Sequence, residues 1–199
     1  MRNLQKAYHD IIDCLVEALE ARDPYTCGHS RRVADMALEL SRRAGLEGAE
    51  LETVHMAAHL HDIGKIGVPD HVLRKPCRLL PHERAAIQRH PVIGYNILIK
   101  SRQLEQIALI VLCHHERWDG EGYPSGLKEE AIPLGSRIIA LCDAVDAMTS
   151  DRPYRQALSW RECWDNVVAN KAKQFDAVLV DAAQELCPLW KKRLCPCCA

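Results

Sequence analysis

The sequence predicts an all-α fold, and three observations carry that expectation. Apolar residues recur at helical spacing through most of the chain, no segment of convincing length alternates with a period of two, and start and stop signals bracket the periodic runs. Leu4, Ile11, Ile12, Leu15, Val16 and Leu19 mark a first helix over 4–21. Val33, Met36, Ala37 and Leu40, at i, i+3, i+4 and i+7, place a second from His29 to Arg43, stopped by Gly45. A third runs from Ala49 to His61 and ends against Ile63-Gly64. Pro81, preorganised for a first helical position, opens a short helix reaching Arg89, and another helix follows Pro91. The apolar run Leu104 to Cys113 is a helix ending in His114-His115.

Residues 116–133 then change character. Gly120, Gly122, Pro124, Gly126 and Pro133 make this a long loop, and a connection of that length inside a compact domain is more often functional than idle. Helices resume over Ser136 to Thr149 and Trp160 to Asn170, the latter with the capping box Ser159-x-x-Glu162, and a last one follows Asp176.

Composition narrows the function. With 26 basic and 27 acidic residues among 199, the formal net charge of -1 disfavours a polybasic nucleic-acid binder. One Phe and 5% aromatics disfavour a stacking platform for single strands. No run approaches the ~20 apolar residues of a membrane span, and the opening residues, which lack an apolar run, lead to the expectation of no signal peptide. The ten Cys are mostly single and lie in helical patterns, so a reducing cytoplasm with free thiols is expected rather than a disulfide framework.

The ten His carry the chemistry. His61-Asp62 closes one apolar helix and His114-His115 another, while His29, His90 and Asp143 lie near helix ends or within a helix facing inward. Neighbours on a helix diverge by about 100°, so an adjacent pair rarely grips one ion, and at a helix end it can instead offer its members to different ions of a two-metal cluster. Two divalent cations against Asp62 and Asp143 leave a formal surplus of about +2, the balance of a site that hydrolyses phosphate esters. His55 and His59, at i, i+4, resemble a second pair, but their apolar neighbours indicate packing on the helix surface. His9, His71 and His82 have no companions and are expected to be exposed.

The ordered motifs His61-Asp62-Ile63-Gly64-Lys65, Arg89-His90-Pro91, His114-His115-Glu116-Arg117-Trp118-Asp119-Gly120-Glu121-Gly122-Tyr123-Pro124, Asp143-Ala144-Val145-Asp146 and Arg152-Pro153-Tyr154-Arg155 resemble the HD-GYP phosphodiesterases, a branch of the HD metallohydrolase superfamily. Asp23-Pro24-Tyr25-Thr26-Cys27-Gly28-His29 is similar to the family's entry motif, and the resemblance covers about residues 20–180. It implies an HD-domain-like helical bundle with a long Gly-Tyr-Pro loop that cleaves cyclic di-GMP to linear pGpG by attack of a metal-bound hydroxide. The implied ligands are His29, His61, Asp62, His90, His114, His115 and Asp143, with Asp62 bridging. Lys65 would contact substrate phosphate, and Asp62 and Lys65 would be the catalytic groups. Gly122, Tyr123 and Pro124 would line the guanine-nucleotide pocket, Gly122 permitting close backbone approach. Arg152 and Arg155 would grip the second phosphate through their planar forks. Asp146 would support a ligand or touch substrate, and Glu116 and Asp119 would orient ligands or cap the loop.

Members of the family with three metals carry a Glu four residues before the first His. Here Tyr25 stands there, and a phenol, with a pKa near ~10, is a poor ligand at neutral pH. Two metals are therefore expected, with slower or absent onward conversion to GMP. Five imidazoles and two carboxylates suit transition ions over magnesium, and the resemblance points to iron or manganese.

The expected organisation is an N-terminal linker helix over 1–22, the phosphodiesterase domain over 23–186 and a Cys-rich tail over 187–199. Cys197 and Cys198 are too crowded for the usual zinc grip, so the tail is expected to be mobile and prone to oxidation. Regulation would act through the N-terminal helix, by homodimerisation or through a diguanylate cyclase or a response-regulator or sensor module. Rival readings are a hydrolase of another cyclic dinucleotide such as cyclic GMP-AMP, and a catalytically silent module that binds the dinucleotide.

Overall fold

The computed structural model describes residues 2–22, 28–151 and 156–194, with residues 2–9 described by their backbone alone. The described residues are helical and contain no strand, only an isolated bridge between Lys171 and Phe175. The helices are α1 (Arg2–Glu20), α2 (His29–Arg43), α3 (Gly48–Leu60), α4 (Asp70–Leu73), α5 (Pro81–Ile87), α6 (His90–Leu98), α7 (Glu105–Cys113), α8 (Leu134–Thr149), α9 (Trp160–Ala169), α10 (Ala177–Gln184) and α11 (Cys187–Leu194). None is long and apolar enough to cross a membrane.

The stripe Val33, Met36, Ala37 and Leu40 is fully buried, which places α2 at the centre of the bundle. It packs on α3 and α8, and α3 packs in turn on α7. Ile138, Ile139, Leu141, Cys142 and Val145 bring the length of α8 into the same core. Among the described cysteines, Cys14, Cys77, Cys113, Cys142 and Cys187 are free thiols, and the buried Cys163 directs its thiol at the Val145 carbonyl.

Local rules set most boundaries. Ser159 accepts from the Glu162 amide while Glu162 accepts from the Ser159 amide, the reciprocal cap expected for α9. Asp176 caps α10 through the Val178 amide and also accepts from Arg137 at 2.7 Å. Three features go beyond the sequence expectation. A 3-10 turn at Ile63–Gly67 and the short α4 fill the stretch after His61-Asp62. The helix expected after Pro91 already begins at His90. The third concerns the tail.

The expected mobile tail is corrected over Cys187–Leu194, which forms α11. Trp190 is 0% exposed, and its indole N–H donates to Glu39 at 2.8 Å. Arg193 donates to the same carboxylate at 2.6 Å. An apolar body with one satisfied donor is what buries a Trp, and the anchor here lies on α2, far away in sequence. Cys195, Cys197 and Cys198 lie outside the described residues.

The long loop is present, interrupted by one 3-10 turn at Glu129–Ala131. It is pinned rather than free. The Trp118 and Asp119 amides donate to the carbonyls of Gln174 and Lys173, and the buried Glu116 accepts from the amides of Ser125 at 2.6 Å and Leu127 at 3.2 Å. Of the two roles open to Glu116 and Asp119, the structure selects the loop cap. Asp119 accepts from the Glu121 amide and pairs with Arg117. A Cβ on Gly122 would sit 2.4 Å from the Arg117 nitrogen, so the loop closes on itself only with glycine there.

Candidate metal centre

Helix ends leave backbone carbonyls without intrahelical partners, and three histidines use them. His61 follows α3, His114 follows α7, and His90 lies three residues beyond the end of α5. Each directs its Nδ1 at the carbonyl three residues back: Ala58 at 2.7 Å, Ile87 at 2.8 Å and Val111 at 2.6 Å. A carbonyl only accepts, so Nδ1 carries the proton in each ring and Nε2 presents a lone pair. All three residues are buried at about 1% exposure or less.

Two groups of ligand atoms result. His29, His61 and Asp143 form one; His90, His114 and His115 form the other, with the atoms of each group within 4.8 Å of one another. Asp62 stands between them. Its Oδ2 lies 3.5 Å from His61 Nε2 and 3.9 Å from His29 Nε2, and its Oδ1 lies 3.4 Å from His90 Nε2. All seven expected ligands thus converge, with Asp62 offering one oxygen to each side.

The expectation that an adjacent pair splits between two ions is corrected for His114-His115. Both belong to one group, their ring centroids 4.1 Å apart. The 100° divergence holds within a helix, whereas His114 is already the residue that terminates α7.

The donor set fits cations. His61 Nε2 is buried with no hydrogen-bond partner among the described residues. His90 Nε2 and His114 Nε2 face one another at 3.2 Å, and with both protons on Nδ1 there is none to place between them. Opposed lone pairs of this kind cost energy unless a positive charge sits near. Burial pushes the pKa of His90 and His114 down and lowers that of His115 to about 4, so these rings are neutral at pH 7. Burial alone would raise Asp62, but the Lys65 ammonium, with the His29 cation beside it, holds it well below the usual carboxylate range. Asp143 is likewise depressed, burial being outweighed by its hydrogen bond from His29.

His29 is held differently. Its Nδ1 donates to Asp146 Oδ2 at 2.7 Å, and its Nε2 lies 3.4 Å from Asp143. Burial opposes its charge, yet hydrogen bonds to Asp143 and Asp146 raise its pKa to about 9. Asp146 is 1% exposed, and its other oxygen accepts from Arg32 Nε at 2.6 Å. The substrate-contact role for Asp146 is corrected on that ground: the carboxylate is buried behind His29 with both oxygens engaged, and it orients the ring. Arg32, which completes this support, was not singled out from the sequence. Its place three residues after His29, on the same helix face, was the available signal.

Lys65 occupies the 3-10 turn and reaches Asp62 Oδ2 at 2.6 Å. That turn packs on α6 so closely that a Cβ on Gly64 would fall 1.9 Å from the His90 carbonyl. Tyr123 is half-buried, stacked on His115 with centroids 4.9 Å apart and planes at 28°, and its amide donates to the His115 carbonyl. Pro124 is exposed beside it. Tyr25, Arg152 and Arg155 lie outside the described residues. His55 and His59 pack edge to face on α3, away from both groups, and His71 and His82 are exposed.

Comparison with known proteins places this arrangement. The chain is 41% identical over 184 residues to the cyclic di-GMP phosphodiesterase response regulator RpfG of Xanthomonas campestris, covering 92% of this chain and 49% of that protein. It is 36% identical over 187 residues to the 3'3'-cGAMP-specific phosphodiesterase 2 of Vibrio cholerae, covering 93% and 36%. It therefore spans half or less of these relatives' length. The structure of a cyclic GMP-AMP-specific phosphodiesterase of V. cholerae (V-cGAP3) superposes with a TM-score of 0.72 at 21% identity, over 93% of this chain and 50% of that one, and shares its fold. Residues 13–179 match the HD domain, and the chain belongs to that family.

Proposed function

We propose that the chain is a metal-dependent phosphodiesterase that hydrolyses cyclic di-GMP to linear pGpG. The observation that carries this reading is the pair of ligand groups sharing Asp62, one carboxylate oxygen facing each. His29, His61 and Asp143 would hold one divalent ion and His90, His114 and His115 the other; the donor set suits transition ions, and the resemblance to the HD-GYP phosphodiesterases points to iron or manganese among them. When bound, such a pair lowers the pKa of a water and polarises a phosphoryl oxygen.

The chain's own residues supply the rest. Asp62 offers one oxygen to each group, and Asp146 with Arg32 fixes the direction of His29. Lys65 carries a positive charge at the rim of the site and binds the scissile phosphate. Tyr123, already stacked on His115, extends an aromatic face on which a guanine base can lie. Gly122 and Pro124 shape that wall, and Arg152 and Arg155 take the second phosphate. With Tyr25 in place of a carboxylate, two ions are expected per chain and pGpG is the main product rather than GMP.

Cyclic GMP-AMP is the second reading, favoured by the identity to a relative named for that substrate. Protein loaded with iron(II) or manganese(II) is expected to convert cyclic di-GMP to pGpG, followed by chromatography, and Asp62→Ala is expected to abolish turnover. Preferential cleavage of cyclic GMP-AMP selects the second reading. Binding without cleavage of either dinucleotide would show a silent module. Residence in the cytoplasm, control by a cyclase or a receiver module, and homodimerisation through α1 belong to this proposal.

A further inference from the structure

The end of α1 grips the site from two sides. Glu20, in the last turn, is 7% exposed and accepts from the amides of Gly28 at 2.7 Å and Ser30 at 3.1 Å. Those amides open α2, whose first residue is His29. A helix start usually receives a side-chain cap from its own N-cap residue. Here that residue is Gly28, in the left-handed region with φ 68, and it supplies none. A carboxylate from α1 stands in, and its charge also complements the positive end of α2.

Arg22, two residues on, reaches the opposite side. It donates to the Ile66 carbonyl at 2.7 Å, the Val68 carbonyl at 3.3 Å and Asp70 Oδ1 at 2.6 Å. The acceptors follow Lys65 in sequence: Ile66 lies in the 3-10 turn that holds its ammonium against Asp62, Val68 ends that turn and Asp70 opens α4. The rigid guanidinium fork locks three acceptors at once, which a flexible ammonium would not. Among the described residues, Glu20 bonds the backbone that carries His29, and Arg22 bonds the segment that follows Lys65.

We propose that Glu20 and Arg22 are positioning residues, a two-armed clamp through which α1 sets both halves of the site. Glu20 places His29, and Arg22 places Lys65. A shift of α1 along or about its axis is then transmitted to one metal group and to the phosphate-binding lysine. The Arg22 arm rests on the phosphodiesterase reading; the Glu20 arm rests only on the ligand geometry.

The test is selective loss. Cobalt(II) titration of the metal-stripped protein, followed by absorbance, is expected to show two binding events, assigned with Asp143→Ala and His115→Ala as controls. Glu20→Gln is expected to weaken the His29 event roughly two- to thirtyfold, the range for losing a helix cap, and leave the His90 event unchanged. Glu20→Asp keeps the charge but retracts it by one methylene, and is expected to give the same selective loss should the first variant fold poorly. Arg22→Ala is expected to leave both cobalt affinities intact and to raise KM for the dinucleotide several-fold with a smaller change in kcat. Equal weakening of both cobalt events, or a lower melting temperature with affinities and KM unchanged, would overturn the clamp and leave only a staple for α1. If the native protein cleaves neither dinucleotide, the functional reading fails while the cobalt titration still decides the Glu20 arm.

Discussion

At the scale of single residues, the site depends on where protons sit. Three imidazoles give their Nδ1 protons to backbone carbonyls, which leaves three lone pairs directed inward, and a fourth ring is turned by Asp146. Asp146→Asn should keep the fold but weaken the His29 metal group about ten- to hundredfold, the usual cost of losing a ligand's supporting carboxylate; metal titration measures it. The opposed shifts also set a pH profile for metal-stripped protein. His29, raised to about 9 from 6.5, contributes stability that is present below pH 6.5 and lost as pH rises through 9. His115, lowered to about 4, must take up a proton in acid, as must His90 and His114, so stability falls as pH drops below 6.5. Melting temperature after chelation should therefore peak near pH 6.5, and saturating metal should flatten the alkaline limb, since the ion replaces the proton on His29. A flat profile without metal would contradict the assigned protonation of these rings.

At the scale of elements, helix ends place every candidate ligand but Asp143, which lies within α8. Apolar periodicity foretold α2 at its observed bounds and α3 and α7 within a residue, because a buried stripe is written into the spacing of Val33, Met36, Ala37 and Leu40. The 3-10 turn after His61-Asp62 was not legible. Its conformation comes from packing on α6, not from local propensity. Gly64→Ala should push that turn away from the His90 carbonyl, costing about 1–3 kcal/mol and reducing metal uptake, measured by denaturation and metal analysis. The loop carrying Tyr123 shows the same division. Its glycines and prolines announced a loop, but its closure over Glu116 depends on two amides nine and eleven residues away. Glu116→Ala should leave both amides unpaired, free Tyr123 from His115 and raise KM for the dinucleotide while metal stoichiometry stays unchanged.

At the scale of the whole molecule, the bundle closes around α2, which carries His29 at its start and receives Trp190 of α11 on its flank. Trp190→Ala should destabilise the protein by about 3–5 kcal/mol, read from chemical denaturation, with the metal groups of the remaining folded protein unaltered. A tail free of the domain would show no such loss. From its residues alone this chain was bound to be helical, since period and capping act over a few positions, and its ordered His and Asp motifs, through the family resemblance, pointed to seven candidate ligands. What only the folded bundle decided was their grouping: which imidazoles lie together, that Asp146 stands behind His29 with both oxygens engaged, and that α11 docks on Glu39. Those relations depend on side chains far apart in the chain meeting in a low-dielectric interior, where distance and burial, not spacing along the backbone, set which charges and lone pairs interact.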